Sequence, residues 1–144
     1  MPILADAISA SRSALTVQRT RIEVAVSNIA NADSTRGPNN EPYRRRDVLI
    51  SPEPVNTFDA AIGRAAATGV RVAGIVASAE TFQRRYEPSH PDADDAGFVA
   101  VPNINPSEEV VDMLSAARAY QANLAAIGIV RDLSNKALEL GRGR

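Results

Sequence analysis

Residues 3–31 read ILADAISASRSALTVQRTRIEVAVSNIAN, and Leu4, Ile8, Ser11, Leu15, Gln18, Ile22, Ala25 and Ile29 recur there at alternating intervals of four and three. That rhythm predicts a helix with one narrow apolar seam, a shape suited to packing against another helix. The helix is expected from about Ile3 to Asn31, ~40 Å long at 1.5 Å per residue. Pro2 fits a first turn because its missing N–H has no helical acceptor there, and Arg19 and Glu23 stand one turn apart as an exposed pair. Asn31, Asp33, Ser34, Gly37 and Pro38 mark the stop.

A second seam lies at the other end of the chain. Val110, Met113, Ala117, Tyr120, Leu124 and Ile127 repeat the same spacing on a helix expected to run to about Leu140, with Gly141 as its stop. Its start is signalled by Asn105 as cap, Pro106 at the first helical position and Glu108 three residues after the cap. Asp132 and Lys136 form a favourable pair one turn apart. Beyond Ile127 the apolar positions move to Val130, Leu133, Ala137 and Leu140, so the seam drifts around the helix.

The segment between the helices reads differently. Tyr43–Ile50 and Val70–Ala77 are expected strands, the second rich in β-branched residues, and Thr81–Tyr86 and Phe98–Val101 are shorter candidates. Residues 51–69 read as a loop with a weak helical turn around Ala61, Ala65, Ala66 and Ala67. The fold class is therefore mainly α, two long terminal helices packing as a coiled-coil-like hairpin that carries a small β-rich insert. The expected division is residues 1–34 for the N-terminal helix, 35–104 for the insert and 105–144 for the C-terminal helix.

Composition narrows the function classes. In 144 residues there are three Phe, three Tyr and no Trp, and much of the apolar content is Ala, so a core buried by one copy alone would be thin. A formal net charge of -1 gives no whole-molecule attraction to nucleic acid or anionic lipid. The chain has no cysteine, which excludes disulfides and thiolate metal sites. No apolar run approaches the ~20 residues that cross a bilayer, and the first residues do not read as a cleavable signal peptide.

Motifs of the kind that carry chemistry elsewhere fit bland readings better here. His90 is the only histidine and has no cysteine or second histidine with which to share a metal. The acidic run Asp92 to Gly97 departs from a calcium loop, with Ala96 at the fifth position and Asn103 at the twelfth. Arg44, Arg45 and Arg46 would alternate sides along a strand and so form no single basic patch; salt bridges or solvation suit them better. Nothing indicates an active site, and no cofactor is expected. On pattern alone the two seams fit a small monomeric bundle as well as an assembly; helix length favours assembly.

The end of the first helix, Ser27-Asn28-Ile29-Ala30-Asn31-Ala32-Asp33-Ser34, resembles the motif that closes the N-terminal helix of bacterial flagellar rod and hook proteins. Ser115-Ala116-Ala117-Arg118-Ala119-Tyr120-Gln121-Ala122-Asn123 is similar to that family's C-terminal motif. Between them, Tyr86-Glu87-Pro88-Ser89-His90-Pro91-Asp92-Ala93-Asp94, Gly97-Phe98-Val99 and Pro102-Asn103-Ile104, with Gly37-Pro38 and Pro42-Tyr43, resemble the family's proximal-rod members.

The resemblance implies a structural subunit of the basal-body rod, periplasmic, exported by the flagellar type III apparatus and partnered with its own copies and other rod proteins. It implies no nucleic acid, small-molecule substrate or membrane span, and the alternative is a coiled-coil adaptor or secretion chaperone. The expected subunit-interface residues are Leu4, Ile8, Leu15, Ile22, Asn28, Ile29, Asn31, Val110, Met113, Ala117, Tyr120, Gln121, Asn123, Leu124 and Ile127. Among them Asn28, Asn31, Gln121 and Asn123 are expected to satisfy buried backbone or one another across subunits.

Overall fold

The computed structural model describes residues 2–37, 40–55 and 67–142, with Pro2 and Arg142 described in backbone only. The Ala61, Ala65 and Ala66 run and Pro38 lie outside the described residues. Helix α1 spans Pro2–Ala30 and helix α2 spans Pro106–Arg142. Between them come strands β1 (Arg46–Pro54), β2 (Thr68–Ala77), β3 (Gln83–Tyr86) and β4 (Phe98–Val101). Among the described residues the order is helix, four strands, helix, and the architecture is mainly α with a β insert.

Local signals explain the helix ends. At the start of α2, Asn105 Oδ1 accepts the Ser107 N–H at 3.1 Å, filling one of the orphan donors of a helix N-terminus. Glu108 closes the cap by accepting from Asn105 Nδ2 at 3.0 Å. At the end of α1, Asn31 Nδ2 donates back to the Ser27 carbonyl at 2.8 Å, and Ser34 Oγ donates to Asn31 Oδ1 at 3.2 Å. The α2 helix passes through Gly141 to Arg142 instead of stopping, since glycine interrupts a helix only weakly when no left-handed turn follows. Arg19 and Glu23 pair at 2.8 Å. Asp132 and Lys136, expected to do the same, form no ion pair among the described residues.

Within the described residues the insert forms two separate two-stranded antiparallel sheets, β1–β2 and β3–β4. In the first, Leu49 faces Gly74 and Ile50 faces Val72, so one residue of β2 is left over as a bulge. Strand β1 begins at Arg46, not Tyr43, and continues through Ser51–Pro54, which sequence assigns to a loop. Pro52 and Pro54 are accommodated because each strand of a two-stranded ribbon has one edge free, and alternate N–H groups point there.

The helices run antiparallel and pack along one another, and the β1–β2 ribbon lies along α1. It is held near its tip by Ser13, whose Oγ accepts the Val70 N–H at 3.0 Å and donates to the Ala10 carbonyl at 2.7 Å. The adjacent Gly69 permits this approach, since a Cβ there would stand 2.6 Å from Ser13 Oγ. Among the described residues the buried hydrophobics are Val17, Val24, Ala25, Val99, Val101 and Ala116, none larger than valine. The chain exposes 9903 Å², whereas a compact chain of 15.3 kDa exposes about 7,100 Å².

Candidate assembly surfaces and the junction that orients them

Helix α1, the approach to β1 and helix α2 meet at Asn28. Its side chain is buried, and all four of its hydrogen-bonding positions are filled. Nδ2 donates to the Arg46 carbonyl and to Glu109 Oε2, each at 2.9 Å. Oδ1 accepts from the Arg46 N–H at 3.0 Å and from the Tyr43 hydroxyl at 3.1 Å. Glu109 is also buried, and its other oxygen accepts from Arg45 Nε at 2.6 Å. That bond, reinforced by Glu109, Asp47 and Asp112 as neighbouring charges, raises the Arg45 guanidinium pKa further. A buried carboxylate is tolerable only with such partners, so the junction fixes how three segments meet.

The amides named from sequence are therefore satisfied within the chain. Asn28 and Asn31 bond as above, and Asn123 Nδ2 donates to the Ala119 carbonyl at 2.8 Å. All three thus donate to backbone carbonyls, one arm of the expectation, within the chain; Gln121 is exposed.

Of the other expected interface residues, Leu4, Ile8, Leu15, Ile22 and Ile29 are half-buried on α1. On α2, Met113, Ala117, Tyr120 and Ile127 are half-buried, while Val110 and Leu124 are exposed. Sequence missed Val17 and Val24 on α1, which are buried, and it misphased the α2 seam. One line of sheltered positions along α2 is Glu109, Met113, Ala116, Tyr120, Asn123, Ile127, Val130 and Ser134, spaced alternately by four and three, with Ala117, Ala119 and Ala126 half-buried beside it. Met113, Tyr120 and Ile127 belong to the sequence-derived seam and Val130 to its expected continuation; Glu109, Ala116 and Asn123 sit one residue before Val110, Ala117 and Leu124, and Ser134 one after Leu133. Val130 stays in this seam, so the seam does not drift.

The opposite side of α2 carries a second stripe. Val111 is 64% exposed, Ile129 62%, Leu133 53% and Leu140 81%, and the small Ala122 and Ala125 are exposed between them. At 100° per residue these fall within a narrow sector facing away from α1. The stripe, interrupted by Ser115, Arg118 and Lys136 in the same sector, is left uncovered within the chain, and exposed apolar patches are where proteins commonly meet partners.

The remaining motifs resolve into local bonding. The three arginines do take separate partners, though because they precede or begin β1 and not by strand alternation. Arg45 binds Glu109, Arg44 stacks on Phe82 at 4.4 Å, and Arg46 lies over Tyr43 at 5.5 Å. Asp94 forms a turn, its Oδ1 accepting from Phe98 N at 2.8 Å and Ala96 N at 3.0 Å. The Phe98 amide, then that of Ala96 and Arg84, hold its carboxyl below the ordinary value of 3.8. Asp92 accepts from Thr35 Oγ1 at 2.8 Å and pairs with Arg36. Among the described residues no group of three His, Asp or Glu stands together as a metal site, and no helix is long and apolar enough to cross a membrane. A polar cleft of about 150 Å³ beside the junction, lined in part by Arg21, Arg46 and Asp47, is open to solvent.

The two motif-bearing regions have counterparts in known proteins. Residues 8–38 match the family described as flagella basal body rod protein, and residues 95–140 match the C-terminal region of the flagellar basal body rod FlgEFG proteins. Over 154 aligned residues the chain is 37% identical to flagellar basal-body rod protein FlgC of Borreliella burgdorferi, with 97% of this chain and 99% of that protein covered. The chain belongs to the FlgC family of flagellar basal-body rod proteins. FlgC of Salmonella typhimurium is 42% identical over 130 residues, covering 90% of this chain and 92% of that protein. FlgC of Bacillus subtilis is 38% identical over 145 residues, with 94% and 96% covered. As a FlgC-family member the chain is a structural rod subunit of the flagellar basal body.

Proposed function

We propose that this rod subunit polymerises through its terminal helices into the proximal part of a tubular drive shaft, which transmits torque and encloses an export channel. Within each subunit α1 covers one side of α2; neighbouring subunits cover the other. The observation that carries this reading is the stripe of Val111, Ile129, Leu133 and Leu140 facing away from α1. Ala122 and Ala125 between them let a neighbouring helix approach closely. Burying that stripe between subunits would supply the apolar area that a core limited to valine and alanine lacks.

The partners are other copies and other rod-family chains, and the place of assembly is the periplasm, reached through the flagellar export apparatus. The protein acts by position and stiffness, not catalysis. Two two-stranded ribbons on the outside of the helix pair suit an outer layer around such a tube.

Replacing Ile129 or Leu133 with Asp tests the reading. Both side chains are more than half exposed, so stability of the isolated subunit should change by less than about 0.5 kcal/mol. Incorporation into purified basal bodies, read by immunoblot, should be lost together with motility. Normal incorporation of both variants would contradict the proposal.

A further inference from the structure

We propose that the outer edge of β1 carries a built-in guard against strand pairing with another chain, formed by the Asn28 side chain at one end and by Pro52 and Pro54 at the other. The inference concerns the β1–β2 ribbon alone and does not depend on the rod-assembly reading.

Ribbon hydrogen bonds fix which way each residue of β1 points. Just past the two ends of the strand, the Ser78 N–H donates to the Arg45 carbonyl at 2.7 Å and the Val55 N–H to the Ala67 carbonyl at 2.8 Å. Odd-numbered residues therefore face β2 at both ends, and they do so throughout, because the extra residue of the bulge lies in β2. Arg46, Val48, Ile50, Pro52 and Pro54 turn their backbone groups outward, to an edge that no other strand among the described residues covers.

An outward row of N–H and carbonyl groups is a template for a strand of another chain. Most of this row is closed. At Arg46 the N–H donates to Asn28 Oδ1 at 3.0 Å, and the carbonyl accepts from Asn28 Nδ2 at 2.9 Å. One side-chain amide thus fills both places that a neighbouring strand would take. Pro52 and Pro54 have no N–H to give. Among the described residues, Val48 and Ile50 alone keep both an N–H and a carbonyl open on this edge. Two residues are too few for a stable added strand.

Without the guard the ribbon would be prone to pairing. Leu49 and Ile75 are each 49% exposed, Ile50 46% and Val76 41%, and the run Val48-Leu49-Ile50 is uncharged and suited to a strand. The cleft that Val48 lines is open to solvent, so this stretch is reachable. The outer edge of β2 is engaged at Val70, whose N–H donates to Ser13 Oγ.

Full-length Pro52→Thr/Pro54→Thr restores two outward N–H groups without touching the Asn28 junction. Parent and variant are compared by sedimentation equilibrium at matched concentration and by amide hydrogen exchange. In the parent, the Arg46, Asp47 and Ser51 amides should exchange at least about tenfold more slowly than those of Val48 and Ile50. The variant should associate at about a tenfold lower concentration than the parent, the worth of two added hydrogen bonds, with its Val48 and Ile50 amides protected in the associated species. Adding Ile50→Lys should return it to the parent's behaviour, because charge on an edge strand opposes pairing. If the double variant loses the parent's far-UV circular dichroism, Pro52→Thr alone takes its place. A folded variant that sediments as the parent does overturns the inference. So does association that leaves the Val48 and Ile50 amides exchanging as in the parent, or that Ile50→Lys does not reverse.

Discussion

Asn28 Nδ2 and Glu109 Oε2, 81 residues apart in sequence, lie 2.9 Å apart, and both residues are buried. Glu109 takes its other hydrogen bond from Arg45, and Asn28 holds both backbone groups of Arg46. The end of α1, the entry to β1 and the start of α2 are thereby fixed to one another. Substituting Asn28→Ala removes four hydrogen bonds and leaves buried groups unpaired, an expected loss of about 2–4 kcal/mol. Urea unfolding should show a lower midpoint, with far-UV circular dichroism intact below it.

The Arg45–Glu109 pair should behave asymmetrically. Arg45→Met leaves the buried Glu109 carboxylate without its cation and should destabilise by about 2–3 kcal/mol, the partial exposure of Arg45 moderating the loss. Adding Glu109→Leu should recover only part of that: it removes the unpaired charge, but it also takes one acceptor from the buried Asn28 Nδ2. A double-mutant cycle in urea reads the coupling, and additive losses would contradict it.

The contact of the β1–β2 ribbon with α1 is set by a close approach. A Cβ added at Gly69 would meet Ser13 Oγ at 2.6 Å and Ser13 Cβ at 3.4 Å. Gly69→Ala should therefore cost about 1–3 kcal/mol. Ser13→Ala removes the obstacle but leaves the Val70 N–H without its acceptor. The double variant should lose less than the sum of the singles, and a strictly additive result would rule out the contact as the cause.

The helices, the β insert between them and the Asn105 cap were legible in the sequence because each follows from local pattern. The facing seam of α2 was half legible. Met113, Tyr120 and Ile127 lie in it, but apolarity pulled the other positions one residue late, to Val110, Ala117 and Leu124. The true positions include Glu109, whose burial depends on Arg45 and Asn28, partners that no spacing reveals. Likewise Ser27-Asn28 stood out as a motif, but its bonds to Tyr43 and Arg46 depend on how the chain returns to α1. Pro52 and Pro54 hid the end of β1 because a ribbon with free edges tolerates proline where a wider sheet does not.

The turn at Asp94 should respond to acid. Its folded pKa lies below the unfolded value of 3.8, so its contribution is fully present above 3.8 and disappears as pH falls through the lower folded value. Bonds from the Phe98 and Ala96 amides, with the Arg84 guanidinium, are the cause. Carbon-detected NMR titration should place the Asp94 midpoint below 3.8, and the Phe98 amide should lose hydrogen-exchange protection over the same range. An Asp94 midpoint at or above 3.8 would contradict the assignment.

A density map of the assembled basal body, resolving side chains of this subunit in the rod, tests the central claim most directly. The account predicts helices of neighbouring subunits packed against the outward side of α2, burying Val111, Ile129, Leu133 and Leu140. A map in which α2 presents those side chains to an open channel or to solvent would contradict it.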